Sequence, residues 1–220
     1  MLKIYSTTES LYCAKLRILL QHKQAQWLEI SPEGGCGSEA YSALIPSGTM
    51  PAMINGDLII ADSEAIAEYL NETIVDPAML PSTVQARAKC RERSRFHDTR
   101  MEPEVRALFP HIATGMQGSD FSIAQSNKIN QRLHEFSRLL LTDTTLDLNF
   151  LSLGDCGFPV SFAWLDAFTP VMGLELEWPE AVLNYRHKIE LHNAVNTVLD
   201  NYAQHVTPVS YPNLPLTTTN

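Results

Sequence analysis

The chain has 220 residues, of which 45% are hydrophobic and 19% charged, a composition typical of a soluble globular protein. A chain of this length can bury one sizeable core or two modest ones. Its formal net charge of −9 excludes a mainly electrostatic association with nucleic acid. No apolar run approaches the roughly 18 residues that a membrane-spanning helix needs. We therefore expect neither a nucleic-acid partner nor a membrane partner.

The cysteines and histidines do not form a metal-binding pattern. The four cysteines are widely spaced and include no CxxC pair, so neither a zinc site nor a dense disulfide framework is expected. His187 and His192 are five residues apart, not the four that place two ligands on one helix face. The first residues lead directly into a predicted strand without an apolar signal segment. We expect free thiols, no metal and a cytoplasmic location.

Residues 1–76 alternate between strand-like and helix-like patterns. Lys3–Tyr5 is predicted to form a short buried strand, and apolar residues from Leu11 to about His22 recur with a helical period. Trp27–Ile30 is predicted to form a second strand, parallel to the first because the helix between them acts as a crossover. A glycine-rich loop and a short helix ending near Leu44 follow.

The clearest local signal is a β-hairpin. Two apolar segments, Pro51–Ile54 and Leu58–Ile60, flank Asn55-Gly56, which is a preferred sequence for a type I′ turn. A helix from Asp62 to about Glu72 closes the unit. The predicted order is βαβ-α-ββ-α, which is that of an α/β thioredoxin-like domain.

The second half of the chain is predicted to be an all-α domain. Residues 77–83 contain two prolines that interrupt both periods and predict a linker. Residues 84–206 have a helical pattern, and residues 207–220, with three prolines, predict an extended tail. The predicted helices are a long one from Val84 kinked at Pro103, one with Ile129, Leu133, Phe136 and Leu140 on its packed face, and helices around Phe162–Thr169 and Pro179–Tyr202.

Ser10 lies where the first predicted helix begins. A hydroxyl at this position suits a helix N-cap, and it also suits donation to a thiolate, which the free N–H groups of the first turn favour. Lowering a thiol pKa by ~2 units requires about 2.7 kcal/mol. A hydrogen bond to a charged group supplies about 1.5–3 kcal/mol, so the two effects suffice. Thr7, Thr8 and Cys13 are alternatives for this role, although Cys13 also suits a small buried position.

Three features follow one another in a fixed order: a hydroxyl at a helix start, an X-Pro bond opening a strand, and an acidic-Ser pair opening a helix. They are Ser10, Met50-Pro51 and Asp62-Ser63. In this order and spacing the sequence resembles the cytosolic glutathione S-transferase family with a serine-type active site. The resemblance covers nearly the whole chain, because that family also joins a thioredoxin-like domain to an all-helical one. It implies a detoxification enzyme whose co-substrate glutathione attacks a small hydrophobic electrophile as a thiolate.

The resemblance also implies individual glutathione contacts. Pro51 would be cis and would turn the backbone of Met50 toward the cysteinyl unit of glutathione. Ser63 would hold the γ-glutamyl carboxylate and Asp62 the ammonium, although the family more often has the longer Glu or Gln before this serine. Thr49 matches a position that often holds a polar contact, the alternative being a turn residue. The alternative for Asp62 is a plain helix cap.

For the second substrate, the resemblance points to the long helix and to one later residue. The candidates are Phe96, His97, Arg100, Met101, Glu104 and Trp164. Phe96 and Met101 also suit plain core positions. The Ser/Thr-x-x-Asp capping box of the family is best matched by Ser161-Phe-Ala-Trp164, where the missing carboxylate would cost about 1 kcal/mol of stability.

Members of this family form two-fold dimers, and the resemblance therefore implies a homodimer. Opposite charges on two adjacent predicted helices would make its isologous interface sensitive to salt. These charges are Arg87, Arg91 and Arg95 on the long helix and Glu64, Glu68 and Glu72 on the helix before it.

Two alternatives to a transferase remain. One is a glutathione-dependent isomerase or dehalogenase; a zeta-like isomerase would be expected to carry an arginine in the later helices, and none lies between Trp164 and Tyr185. The other is a non-catalytic interaction module that keeps the fold. Such a module would not need Ser10, Asp62 and Ser63 together.

Overall fold

The structure is a computed structural model that describes the backbone of residues 1–114 and 117–206, and their side chains except at 112–114. The tail predicted for residues 207–220 lies outside the described residues. Residues 74–83 contain neither helix nor strand. We propose that the boundary between two domains lies there, with 77–83 as the linker between residues 1–76 and 84–206.

The first part of the chain forms one four-stranded mixed sheet with helices packed on it. The strands are β1 (Leu2–Tyr5), β2 (Trp27–Ile30), β3 (Ala52–Asn55) and β4 (Leu58–Ala61), and the helices are α1 (Leu11–His22), α2 (Glu39–Leu44) and α3 (Ser63–Thr73). The strand order is β2-β1-β3-β4, with β1 and β2 parallel and the other two pairs antiparallel. The predicted thioredoxin-like order βαβ-α-ββ-α is confirmed.

The β3–β4 hairpin forms where it was predicted, but its turn is shifted by one residue. Asn55 pairs with Leu58, so Gly56 and Asp57 make up the two-residue loop. Gly56 has a φ of 61°, whereas Asp57 is not among the residues with positive φ. This is the pattern of a type II′ turn, which places glycine first, so the predicted type I′ turn at Asn55-Gly56 is wrong.

The second part of the chain is helical throughout its regular elements. The helices are α4 (Val84–Phe96), α5 (Glu102–Arg106), α6 (Asp120–Thr142), α7 (Phe158–Met172), α8 (Glu180–Glu190) and α9 (Asn193–Ala203). The predicted packed face of α6 is buried. The single helical segment predicted over 179–202 is instead two helices, because the helix is interrupted at Leu191 and His192. At this interruption the His192 ring contacts the carbonyl of Leu148 at 3.0 Å. This tertiary contact cannot be predicted from the residues around His192.

The long helix that starts at Val84 reaches Arg106 only by way of an irregular turn. Between α4 and α5 the turn His97–Met101 is π-helical. Pro103 follows two residues later; it has no N–H, and its ring crowds the carbonyl four residues before it. A wider turn just upstream accommodates the proline, so the predicted interruption at Pro103 takes the form of a π-helical turn.

A buried polar cluster joins α4 to the segment that opens α7. Ser152 and Asp155 form a capping box, in which Asp155 Oδ2 accepts from the Ser152 N–H at 3.0 Å and from its hydroxyl at 2.5 Å. Asp155 Oδ1 accepts from Arg93 Nε at 2.9 Å and from the Tyr185 hydroxyl at 2.8 Å. The box is therefore Ser152-Leu-Gly-Asp155, and the predicted box with Trp164 in place of the aspartate is wrong.

Replacing Asp155 with alanine is expected to destabilise the fold strongly. The change leaves the buried Arg93 guanidinium with a weaker set of partners, and breaking a buried ion pair costs about 3–5 kcal/mol. Urea unfolding followed by circular dichroism measures the loss. The control is Asp200→Ala on the exposed side of α9, where a change below about 0.5 kcal/mol is expected. Equal stability of the two variants would contradict the buried cluster as a stabilising element.

Candidate functional site

Three chain segments meet at one edge of the sheet. Tyr5 at the end of β1 pairs with Ala52, the first residue of β3, and Ala52 pairs with Ala61, the last residue of β4. The segments that adjoin these three residues therefore lie side by side. They carry Ser10, Met50-Pro51 and Asp62-Ser63.

Ser10 is the N-cap of α1. Its Oγ accepts from the Cys13 N–H at 3.3 Å, and its carbonyl accepts from the Ala14 N–H at 2.9 Å. Accepting a hydrogen bond uses a lone pair of the hydroxyl and leaves its proton for a second partner. The first turn of α1 contains no acidic side chain, so nothing nearby in that turn opposes the positive end of the helix dipole. Ser10 can thus cap the helix and donate to a bound anion at once.

The loop that precedes Ser10 is held by Arg17 of α1. Arg17 Nη2 donates to the Ser6 hydroxyl at 2.7 Å and to the Thr7 carbonyl at 2.9 Å, and Nη1 donates to the Thr8 carbonyl at 3.3 Å. A bidentate pair with Glu29 fixes the guanidinium, with N–O distances of 2.8 and 2.7 Å. The loop conformation therefore depends on a residue two turns further along the same helix.

Of the alternatives to Ser10, Cys13 has the least access to a ligand. Its side chain lies in the core and is 1% exposed. Thr8 is exposed and Thr7 is half-buried, so both hydroxyls remain alternatives on exposure alone. Cys36 is half-buried and its thiol donates to the Gly48 carbonyl at 3.1 Å; burial raises the pKa of this thiol.

The Met50–Pro51 peptide is cis, as the family resemblance implied. It precedes β3, and Met50 is half-buried against the cluster of Tyr41 and its neighbours. The carbonyl of Thr49 accepts from the Tyr41 hydroxyl at 2.9 Å, while the exposed Thr49 hydroxyl is 2.9 Å from that of Ser47. Thr49 therefore shapes the turn with its backbone and presents its side chain to solvent.

Asp62 and Ser63 open α3. Asp62 Oδ1 accepts from the N–H groups of Glu64 at 2.9 Å and Ala65 at 3.0 Å, which makes Asp62 the N-cap. This cap engages only one carboxylate oxygen, and the N–H of Ser63 is not part of it. Asp62 has a φ of 83°, a left-handed conformation that costs a non-glycine residue about 1–3 kcal/mol and that clusters at ligand sites.

A buried ammonium ties these helix starts together. Lys15 of α1 is 3% exposed, and its Nζ donates to Glu64 Oε2 at 2.7 Å and to both oxygens of Asp98 at 3.0 and 2.8 Å. Burial alone would lower the pKa of Lys15, but the charges of Asp98 and Glu64 outweigh it and raise the pKa. Ser94 of α4 completes the cluster and donates to Glu64 at 2.7 Å.

The six residues predicted for a second-substrate pocket do not form one exposed wall. His97, Met101 and Trp164 are at most 2% exposed, and both ring nitrogens of His97 lie 2.8 Å from protein oxygens. Phe96 is half-buried and stacks on a core phenylalanine, Glu104 is half-buried beside Gln125, and Arg100 is exposed. In this structure the three buried residues are part of the core.

A second group of residues beside Ser10 was not predicted. The Tyr12 hydroxyl donates to Glu102 Oε2 at 3.0 Å, and Arg106 pairs with Glu102 and lies 5.4 Å from the centre of the Tyr12 ring. Burial and the charge of Glu102 raise the pKa of Tyr12. Glu102 is buried, whereas the side chain of Arg106 is 55% exposed. The sequence signal that could have identified Tyr12 is its position in the first turn of α1, two residues after Ser10.

Four of the six charges assigned to a dimer interface, those of Glu64, Glu68, Arg91 and Arg95, form ion pairs within the chain. Glu64 binds Lys15, and Glu68 accepts two hydrogen bonds from Arg91 at 2.6 and 3.0 Å. Arg87 donates to the carbonyl of Ser82 at 2.7 Å. These intrachain ion pairs weaken the electrostatic argument for a salt-sensitive interface, because the charges of Glu64, Glu68 and Arg91 already have partners within the chain.

Residues 1–114 and 117–206 are the part of the chain that the structure describes. In these ranges no group of three or more His, Cys, Asp or Glu side chains could hold a metal ion. In the same ranges no helix is both long enough and apolar enough to cross a membrane.

Comparison with known proteins identifies the first part of the chain. Residues 4–77 match the family model described as Glutathione S-transferase, N-terminal domain. This part of the chain is therefore similar to the N-terminal domain of glutathione S-transferases. The fold is similar to that of Maleyl Pyruvate Isomerase, a bacterial glutathione S-transferase of the zeta class. The TM-score is 0.69 and the sequence identity is 19%, over 97% of this chain and 100% of that one.

Curated relatives match over shorter stretches. A stringent starvation protein A homolog from Pasteurella multocida is 30% identical over 117 residues, which are 53% of this chain and 52% of the relative. Glutathione S-transferase Z2 from Arabidopsis thaliana is 27% identical over 145 residues, 64% of this chain and 65% of the relative. The chain thus spans between about half and just under two thirds of the length of these two relatives.

The buried cluster around Lys15 predicts a loss of stability in acid. Burial alone would raise the pKa of Asp98, but the hydrogen bond with His97 and the charge of Lys15 lower it to about 2. A carboxyl whose pKa is lowered in the folded protein stabilises the fold at pH values above its pKa in the unfolded chain, about 3.9. This stabilisation is lost as the pH falls toward 2. We expect a loss of about 2 kcal/mol from Asp98 between pH 5 and pH 2.

Urea unfolding at a series of pH values checks this, with Asp98→Asn as the test variant. The variant should be less stable at pH 6 and should show a shallower decline toward low pH, because its side chain does not titrate. Asp200→Asn, which changes an exposed carboxyl of α9, serves as the control and should decline as the wild type does. A decline in Asp98→Asn equal to that of the wild type would contradict the assignment.

Proposed function

We propose that this protein is a glutathione transferase in which Ser10 stabilises the glutathione thiolate for attack on a small hydrophobic electrophile. The observation that supports the proposal is the pairing of Tyr5, Ala52 and Ala61 at neighbouring strand ends, because the segments that adjoin them lead to Ser10, to the cis Met50–Pro51 peptide and to the start of α3. The match of residues 4–77 to the N-terminal domain of glutathione S-transferases supports it.

In this proposal the tripeptide lies along that edge. Its γ-glutamyl carboxylate accepts from the hydroxyl and N–H of Ser63 at the start of α3, where the helix dipole favours an anion. Asp62, whose second carboxylate oxygen lies outside the cap, accepts from the ammonium. The backbone of Met50 pairs with the cysteinyl unit, and Thr49 adds a polar contact beside it.

The thiol then lies at the start of α1. The Ser10 hydroxyl donates to the sulfur, and the first-turn N–H groups add a positive field, so the anion is favoured over the thiol. The thiol proton leaves to solvent, and the thiolate forms a carbon–sulfur bond with the electrophile while the leaving group departs. The protein contributes no covalent step of its own.

A glutathione-dependent isomerase is the second candidate, and a specific observation favours it. Arg106 brings a half-exposed guanidinium next to Tyr12, two residues from Ser10, and a carboxylate-bearing substrate could bind there. Arg106 lies on α5, whereas the arginine of a zeta-like isomerase is expected in the later helices. Turnover of a maleyl dicarboxylate, with glutathione regenerated and no conjugate formed, would favour this reading over the transferase.

Several further attributes belong to the proposal. We expect glutathione as co-substrate without a metal, a cytoplasmic location, a role in detoxification and a homodimeric assembly. Retention on immobilised glutathione, with elution by free glutathione, separates this proposal from a non-catalytic interaction module. A protein that passes through the column unretained would favour the module.

Ser10→Ala is expected to raise the pKa of bound glutathione by about one unit or more and to lower kcat at least ten-fold, because a donor worth at least about 1.4 kcal/mol is removed. Glutathione affinity should change less, since the contacts at Met50 and Ser63 remain. The absorbance of the thiolate as a function of pH measures the pKa.

The matched control is Ser119→Ala, which removes another serine N-cap, that of α6, remote in the chain from the proposed site. Both variants lose a helix cap and about 1 kcal/mol of stability, but only Ser10→Ala should shift the thiol pKa. An unchanged thiolate titration in Ser10→Ala would transfer the role to Thr7 or Thr8.

Ser63→Ala is expected to weaken glutathione binding by about ten-fold without moving the thiol pKa, because the residue acts on the γ-glutamyl end. Isothermal titration calorimetry measures the affinity. Cysteinylglycine, which lacks the γ-glutamyl group, is the control ligand and should bind the variant and the wild type equally. An equal loss for both ligands would show that the γ-glutamyl group lies elsewhere.

A further inference from the structure

Two hydrogen bonds, one buried and one partly buried, connect α7 and α9 to the loop before Ser10. Trp164 Nε1 of α7 donates to the Tyr202 hydroxyl at 2.7 Å, and that hydroxyl donates to the Glu9 carbonyl at 2.6 Å. Trp164 is 0% exposed and Tyr202 is 3% exposed, so the Tyr202 hydroxyl itself lies out of solvent, while Glu9 is half-buried. Burial raises the pKa of Tyr202, and its hydroxyl therefore stays protonated at neutral pH.

The order of donation follows from the chemistry of the three groups. An indole N–H can only donate, and a peptide carbonyl can only accept. The Tyr202 oxygen must therefore accept from Trp164 and give its own proton to Glu9. Trp164 thus sets the direction in which Tyr202 donates.

The contact with Glu9 bears directly on Ser10. The Glu9 carbonyl and the Ser10 nitrogen belong to one planar peptide unit, so fixing the carbonyl fixes the plane from which the Ser10 side chain projects. On the other side, the Ser10 carbonyl and Oγ are bound by the first turn of α1. Ser10 is therefore held from both sides, by its own helix and by Tyr202 of α9.

We propose that Tyr202 is a positioning residue for Ser10, oriented by Trp164, and that it aims the Ser10 hydroxyl at the thiol of glutathione. This inference rests on the proposed function. It gives the helical part of the chain a share in activating the thiol, in addition to any contact with the second substrate.

The test compares two buried tyrosines of the helical part. Tyr202→Phe keeps the ring and removes both hydrogen bonds of the hydroxyl. Tyr185→Phe, the matched control, likewise keeps a buried ring and removes a hydroxyl that donates to Asp155 at 2.8 Å. We expect Tyr202→Phe to raise the pKa of bound glutathione by about one unit and to lower kcat about ten-fold at neutral pH, with glutathione KM within two-fold. Tyr185→Phe should lower the melting temperature and leave the thiol pKa unchanged.

Hydrogen exchange of the backbone amides of residues 9–14 gives a readout that needs no glutathione. The amides of this segment should exchange faster in Tyr202→Phe than in the wild type, and Tyr185→Phe should leave them unchanged. Trp164→Phe, which removes the donor that orients Tyr202, should shift the thiol pKa in the same direction as Tyr202→Phe. A thiol pKa that moves equally in Tyr202→Phe and Tyr185→Phe would overturn the inference, because general loosening would then explain it.

The remaining outcomes separate this inference from the proposed function. A thiol pKa that shifts in Ser10→Ala and stays constant in Tyr202→Phe overturns the positioning role alone. A thiol pKa that stays constant in Ser10→Ala overturns Ser10 as the thiolate donor, transfers that role to Thr7 or Thr8, and overturns the positioning role of Tyr202 with it. A shift in both variants, with faster exchange at residues 9–14 in Tyr202→Phe, supports both.

Discussion

The buried ammonium of Lys15 constrains the whole arrangement. An unpaired charge in the core costs several kcal/mol, so the fold must bring carboxylates to Lys15 from other elements. Glu64 comes from α3 and Asp98 from the π-helical turn, both in direct contact with the ammonium. Since Ser10 opens α1 and Ser63 opens α3, one buried cation sets the relative placement of the two ends of the proposed glutathione site.

The π-helical turn serves the same cluster from the other side. It carries both His97 and Asp98, and His97 bridges the Asp98 carboxylate and the Ser161 hydroxyl with its two ring nitrogens. The ring packs so closely against Gly157 that a Cβ at that position would overlap it. Glycine is therefore required at 157 by close approach, and the start of α7 is locked to the turn that supplies Asp98.

The proposed site depends on distant parts of the chain more than its short motifs indicate. Arg17 fixes the loop carbonyls before Ser10, and Tyr202 reaches the same loop from α9. The two parts of the fold are thus joined by an ion cluster at Lys15 and by a neutral hydrogen-bond chain at Tyr202. A serine at a helix start becomes a directed donor only when such contacts fix the peptide before it.

Local signals in the sequence determined the elements of the first half and the order of the candidate site. Alternating apolar residues, the turn glycine at 56 and the helix-capping Asp62 act within a few residues, and periodicity therefore detects them. The Ser152–Asp155 capping box is local, since its partners are three residues apart, but only tertiary structure brought Arg93, 62 residues away, to Asp155. It also decided that His97 is buried and that both of its ring nitrogens lie 2.8 Å from protein oxygens. Such contacts depend on how the helices pack against one another. The spacing of residues along one helix does not predict which distant side chain will contact that helix.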